Sequence, residues 1–203
     1  MGRRSDHTRS ELNELLIEEG WRQLSEVGLA RFSARDVAKR VGYSIGTLYN
    51  VFGSYDGLLL AINARTLAMW AADLEARLEE ADGGDRIAAL VSGYFEFARR
   101  NPKAWVAVFE HHMADWGPAP VWYAKAVHEV LAIAAREVAA TLPGADPAQI
   151  ARLARSLIAT VHGHSVFAVL RTFDMLGETA PEAAALARVR EALSAAQNSG
   201  VLA

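Results

Sequence analysis

Apolar residues recur at intervals of three and four along most of the chain, and that spacing predicts α-helices rather than strands. A first helix is expected over Ser10–Val27, with Leu12, Leu15, Leu16, Trp21 and Leu24 on its apolar face and Gly28 ending it. Two short stripes follow: Val37, Ala38 and Val41, then Leu48, Val51 and Phe52. Leu58, Leu59, Ile62, Leu67, Trp70, Leu74 and Leu78 mark one side of a long helix from Ser54 to about Glu80, which Asp82-Gly83-Gly84-Asp85 breaks. Further helices are expected over Asp85–Arg100, from Pro102 onward, over Val121–Leu142, from Pro147 to about Phe173, and from Pro181 to near Ala196. Loops are expected at Trp116–Pro120 and Asp174–Ala180. The pattern describes an all-α protein of about nine helices.

The two short stripes carry their own start and stop signals. Ser33 is placed to cap the first, with Asp36 three residues on at the capping-box position. Gly42 ends it, because the residue after a helix commonly adopts the left-handed conformation that costs glycine nothing. Ser44 caps the second. With Leu48, Val51 and Phe52 turned inward, Ile45, Gly46, Thr47, Tyr49 and Asn50 are left to face outward. Such a face, small at its start and bearing hydroxyls and an amide, suits the floor of a DNA major groove.

Charge sharpens this reading. The whole chain has 21 basic and 24 acidic residues. Between Arg31 and Tyr55, however, Arg31, Arg35, Lys39 and Arg40 stand against Asp36 alone. A positive patch on an otherwise acidic protein is what a phosphate-binding face needs.

Val37-Ala38-Lys39-Arg40-Val41-Gly42, then Ser44, Gly46-Thr47-Leu48-Tyr49, Phe52, Ser54 and Leu58 resemble the DNA-binding domain of the tetracycline-repressor (TetR) family over roughly the first sixty residues. The resemblance implies a three-helix helix-turn-helix domain at residues 1–54 and a helical ligand-binding and dimerisation domain at 55–203. It also implies that Thr47 and Tyr49 occupy DNA-contact positions, and that the last two helices pair with their copies in a homodimer. The family usually has a lysine after Ser54; this chain has Tyr55, whose hydroxyl can bond a phosphate without carrying charge. The expected DNA-binding set is Arg35, Lys39, Ser44, Ile45, Gly46, Thr47, Tyr49, Asn50 and Tyr55.

Composition excludes several alternatives. Apolar residues make up 52% of the 203, enough for a sizeable core. With no cysteine, disulfides, thiolate metal sites and thiol catalysis are out of reach. The N-terminus has arginines but no following apolar run, so a secretory signal is not expected, nor is any stretch long enough to span a membrane. A cytoplasmic protein is expected.

Aromatic and histidine residues gather in the second half. They read either as core packing or as an apolar pocket with one or two polar anchors. Trp105, Phe109, His112, Trp122, His128, His162 and Val166 are the candidates for the pocket. Trp105 with His162-Gly163 also resembles a subclass of the family that carries a tryptophan, histidine and glycine signature. His111-His112 and His162-Gly163-His164 lack the i, i+4 spacing that brings two imidazoles to one metal, so no metal or other cofactor is expected. No phosphate-cradling glycine loop and no zinc-hydrolase motif is present, so an enzyme is not expected either.

The expectation is a ligand-responsive regulator, a repressor, binding a palindromic double-stranded DNA operator as a homodimer and released by a small molecule. The alternative is a helical small-molecule-binding protein or enzyme whose N-terminal domain no longer binds DNA. A DNA-binding architectural protein without a ligand is a third reading.

Overall fold

A computed structural model describes residues 7–81, 83–111 and 119–200. Ten α-helices are formed: α1 Arg9–Val27, α2 Ala34–Val41, α3 Ile45–Phe52, α4 Tyr55–Glu80, α5 Arg86–Arg100, α6 Pro102–Glu110, α7 Val121–Thr141, α8 Pro147–Val169, α9 Thr172–Leu176 and α10 Pro181–Gly200. No strand occurs among the described residues, and the all-α expectation holds. The helix beyond the expected nine arises where the sequence suggests one helix running to Phe173. That helix stops at Val169, Arg171 takes a left-handed backbone (φ 58°), and α9 follows. Neither glycine nor proline marks the break, and the apolar spacing continues through Leu170 and Phe173, so the sequence pattern hides it. At the start of α9, the Arg171 guanidinium donates to Asp174 at 2.8 Å.

The chain forms two compact units, one from Met1–Ala68 with Asn101–Ala126, the other from Met69–Arg100 with Val127–Ala203. Two of the three boundaries fall inside α4 and α7, and the third lies between α5 and α6. Compaction thus differs from a division at 54/55, because the first part of α4 and all of α6 pack with the N-terminal helices.

In the first unit, Leu12, Leu16, Leu24, Phe32, Val37, Leu48, Leu58 and Ile62 form one buried cluster. Burial of several such side chains, at about 1.5–3 kcal/mol each, is what holds helices this short. Local signals set their ends. The Thr8 hydroxyl accepts from the Glu11 amide while the Glu11 carboxylate accepts from the Thr8 amide, a reciprocal cap that starts α1. Ser33 caps α2 by accepting from the Asp36 amide at 3.2 Å. Asp36 does not complete a capping box; the Ser33 amide donates instead to the buried Gln23 side chain on α1, at 2.9 Å. A residue of α1 therefore fixes where α2 begins. Gly42, at φ 87°, ends α2, and the Tyr43 amide reaches back to the Ala38 carbonyl at 2.9 Å. At Gly57, in the first turn of α4, any Cβ would lie 2.2 Å from the Phe52 carbonyl oxygen, so only glycine lets α3 and α4 meet this closely.

α6 is tied into the same unit by polar contacts. Lys103 donates to the Glu26 carbonyl and Asn63 to the Ala107 carbonyl. The His111 ring lies 3.0 Å from Asp56.

The second unit packs α5, α8, α10 and the later parts of α4 and α7. Its core includes Trp70, Phe95, Phe97, Ile133, Val138, Leu157, Val161, Val189 and Leu193. Asp146 caps α8 by accepting from the Gln149 amide, with Pro147 at the first helical position. The buried Glu137 of α7 receives two bonds from Arg86 of α5, at 2.7 and 2.9 Å, and one from Arg136 at 3.0 Å. These bonds, Arg86 foremost, hold its carboxyl below the usual range despite burial.

Candidate functional site

Ser44 sets the geometry of the candidate nucleic-acid interface. Its hydroxyl accepts from the Thr47 amide at 3.1 Å and lies 3.0 Å from the Thr47 hydroxyl. The cap therefore both starts α3 and holds one of the expected contact groups in place. Leu48 is fully buried beneath the helix, which fixes the rotation of α3 about its axis. That rotation leaves Ser44, Gly46, Tyr49 and Asn50 exposed and Thr47 half-exposed. Tyr49, at 40% exposure, is a large aromatic on the outer surface. Ile45 sits differently from its neighbours. It is half-buried and packs against the core, so only part of it is available to a base.

The basic residues nearby are not equivalent. Arg40 donates to Glu19 at 3.0 Å and to Glu26 at 3.4 Å, both on α1, and Glu19 also receives Arg22. Glu19 stays ionised despite partial burial because both guanidinium groups bond it, holding its carboxyl below the usual range. Arg40 thus braces α2 on α1. Arg31, Arg35 and Lys39 are exposed and have no acidic partner among the described residues. These three supply the uncompensated positive charge beside α3.

Tyr55 is half-buried. Its ring lies 6.0 Å from that of Phe32, tilted, and packs on the first unit's core. Burial, with lesser contributions from Asp56 and Tyr49, raises its phenol pKa, so the hydroxyl stays protonated. A lysine here would place a charge where this chain has an aromatic contact. Near the start of α1, His7 lies 6.4 Å from the Tyr43 ring.

An apolar pocket of about 70 Å³ lies within the second unit, among α4, α5, α7, α8 and α10. Trp70, Leu90, Tyr94, Val130, Leu157 and Val161 represent its lining, which is apolar almost throughout. The expected ligand residues are distributed otherwise. Trp105 is buried in the first unit and meets the Phe109 ring at 5.3 Å in a T-shaped contact. Phe109 and Trp122 are largely exposed, as is His128. Val166 is half-buried on α8, and His112 lies outside the described residues. None of these described residues lines the cavity.

His162 belongs to the second unit and stands one step behind the cavity wall. Its Nδ1 lies 2.9 Å from the Tyr94 hydroxyl, and the two rings meet nearly edge to face. Burial pushes its pKa down, which favours the neutral imidazole. Tyr94 and Trp70, whose rings form a T-shaped pair at 4.6 Å, are the wall residues that a search for histidine clusters overlooks. Their signal was present in the apolar spacing, where each looks like ordinary core.

Among the described residues, no three His, Asp or Glu side chains converge as metal ligands would, and no helix is long and apolar enough to cross a membrane.

Comparisons with known proteins agree with this arrangement. Residues 16–62 match the family described as bacterial regulatory proteins, tetR family. Residues 87–195 match the tetracyclin repressor-like C-terminal domain. The HTH-type transcriptional regulator BetI of Burkholderia ambifaria is 31% identical over 105 residues, covering 49% of this chain and 54% of BetI. The chain thus spans about half the length of the curated relatives it matches. Among solved structures, a protein of unknown function from Rhodococcus sp. RHA1 aligns with a TM-score of 0.72 at 23% identity, over 95% of this chain and 97% of that one. A TetR transcription regulator from Haloarcula marismortui aligns at 0.57 and 21% identity, over 92% and 98%. These two likenesses concern the fold. With both halves of the chain matched in order, and the second match alone covering more than half of it, the chain belongs to the TetR family of bacterial regulatory proteins.

Proposed function

We propose that this TetR-family transcriptional regulator is a repressor that binds a palindromic operator as a homodimer and releases it when a small molecule occupies the second unit. The observation that carries the reading is the outer face of α3. Ser44, Gly46, Thr47, Tyr49 and Asn50 are turned outward beside Arg31, Arg35 and Lys39, cations without an acidic partner among the described residues. In this reading Tyr49 bonds a phosphate, Thr47 and Asn50 lie over base edges, and Arg35 reaches a base edge or the backbone. Lys39 supports a phosphate, and the exposed part of Ile45 meets a thymine methyl. The Tyr55 hydroxyl is the weakest contact of the set, because its ring is held in the core.

Dimerisation is supported by large apolar side chains near the end of α8 and on α9. Phe167, Leu170, Met175 and Leu176 are exposed by 42, 64, 82 and 63%. An apolar surface of this kind on a regulator is best explained by a second copy. We assign residues 1–54 to DNA binding and 55–203 to ligand binding and dimerisation, with α4 the first helix of the second segment. Membership of the tryptophan, histidine and glycine subclass is part of the same proposal and is supported by Trp105 and His162-Gly163 in the sequence. Ligand binding acts by favouring the state that does not hold DNA, a shift in population along α4.

The test is a salt titration of binding to the DNA next to the protein's own gene. The proposal expects affinity to fall steeply with salt, by a log–log slope of about −0.9 per phosphate neutralised. No binding at low salt would reject it and leave the alternative, a small-molecule-binding protein that has lost its DNA function.

A further inference from the structure

The cavity of the second unit narrows the chemistry of what it can hold. The lining side chains carry two polar atoms, Trp70 Nε1 and the Tyr94 hydroxyl; none is charged. Trp70 Nε1 is buried without a hydrogen-bond partner, and the Tyr94 hydroxyl is engaged with His162 Nδ1. A carboxylate or ammonium placed here would lose its hydration with no opposite charge to replace it, a penalty of several kcal/mol per ion. An apolar molecule meets the opposite balance, because a dry cavity lined by Leu, Val and aromatic side chains gains dispersion contacts when filled.

A second feature of the same unit bears on access. A groove of about 530 Å³ runs along α5, the end of α8 and the start of α10, lined by residues including Ser92, Phe95, Ala168 and Leu186. Val91, itself buried, lines both the groove and the cavity. One branched side chain is therefore shared by the groove and the apolar pocket. Arg99 of α5 and Glu182 of α10 also line the groove and pair across it at 3.2 Å. The cation in the groove lining is already matched, so the groove does not select an anion.

We propose that the cavity is a binding site for a small, uncharged, mainly hydrocarbon molecule that enters from the groove past Val91. The inference rests on the reading of the second unit as the effector domain and names the class of effector.

Three probes of one skeleton test it on the full chain at neutral pH: toluene, benzoate and benzylamine, the last protonated. Binding is followed by the rise in Tm and by tryptophan emission. Toluene is expected to bind at least tenfold more tightly than either ion. Leu90→Ala, which enlarges the cavity, is expected to tighten toluene binding further and to admit naphthalene. Val91→Trp is expected to slow toluene association at least tenfold; an unchanged rate in a folded variant overturns the route. Equal or tighter binding of either ion overturns the ligand class, and so does toluene failing to bind both the wild type and Leu90→Ala. Operator binding is measured on the same samples. Toluene binding without DNA binding defeats the regulator reading alone, whereas DNA binding with no toluene binding defeats this inference alone.

Discussion

Arg40 of α2 donates to Glu19 of α1 across 3.0 Å, with Glu26 as a second acceptor. In the sequence Arg40 is indistinguishable from Lys39 beside it, yet the two have different work. Lys39→Ala is expected to reduce the salt slope of operator binding by about 0.9 for each phosphate contact removed. Arg40→Met is expected to leave the slope unchanged and to lower the Tm of the chain only modestly, since solvent-exposed ion pairs contribute little to stability. A titration of both variants in parallel checks this. An equal loss of slope in the two would show that Arg40 leaves its carboxylates for the DNA.

Tyr49 is large, exposed and placed on the outer face of α3. Removing its hydroxyl leaves the ring and the fold untouched. Tyr49→Phe is therefore expected to weaken operator binding by about 3- to 10-fold per half-site, the worth of one hydrogen bond near 1 kcal/mol, without changing Tm or oligomeric state. Tyr55→Phe, made beside it, is expected to change affinity less than twofold, because that ring serves Phe32 and the core. A larger loss from Tyr55→Phe than from Tyr49→Phe would reverse the two roles.

The contrast between these tyrosines shows what the chain reveals before folding and what it does not. Caps, stripes and the glycine turn are local, so Ser33, Gly42, Ser44 and the outward face of α3 were legible in residue order. Long-range partners were not. Gln23 is a polar residue outside the apolar stripe of α1, yet it is buried and bonds the Ser33 amide ten residues away. Arg40 counted as free charge until α1 was packed against it. The cavity was hidden for a related reason: Trp70, Tyr94 and Val130 have the spacing of core residues and the chemistry of core residues. Only packing tells which part of a core is left unfilled. Histidines drew attention in the sequence because they are rare and reactive, but His162 stands behind the cavity wall and His128 points to solvent.

Among the described residues Glu137 is the most deeply buried carboxylate, and both oxygens are engaged. Glu137→Gln removes the carboxylate that accepts two bonds from Arg86. Arg86 is 37% exposed and can regain some water, so the loss is expected near 2–3 kcal/mol, below that of a fully buried pair. The sign with pH follows from the lowered carboxyl pKa. Its contribution is complete above the unfolded value of about 4.3 and is lost as pH falls through the lower folded value. Denaturant melts of wild type and variant should therefore differ most near neutrality and converge in acid. A constant difference down to the lowest pH at which the chain folds would mean that Glu137 acts by packing alone.

His162 has the opposite consequence at milder pH. Burial lowers its pKa, so the folded chain favours the neutral ring that meets the Tyr94 hydroxyl at 2.9 Å. Well above the ordinary histidine value of about 6.5, folded and unfolded chains are both neutral at this ring and pH has no effect through it. As pH falls through 6.5 the unfolded chain takes up the proton first, and stability declines until the lower folded value is reached; below that the penalty is complete. His162→Gln removes the titration while keeping a polar side chain opposite Tyr94. The wild type is thus expected to lose stability relative to the variant on acidification from pH 7 to below 6, as read by Tm in matched buffers. Once the pH falls through the lowered folded value, the protonated ring would place a charge one residue behind the cavity wall, so toluene binding should weaken there in the wild type and hold steady in the variant. Parallel curves for the two proteins through this range would show that His162 does not titrate where its burial places it.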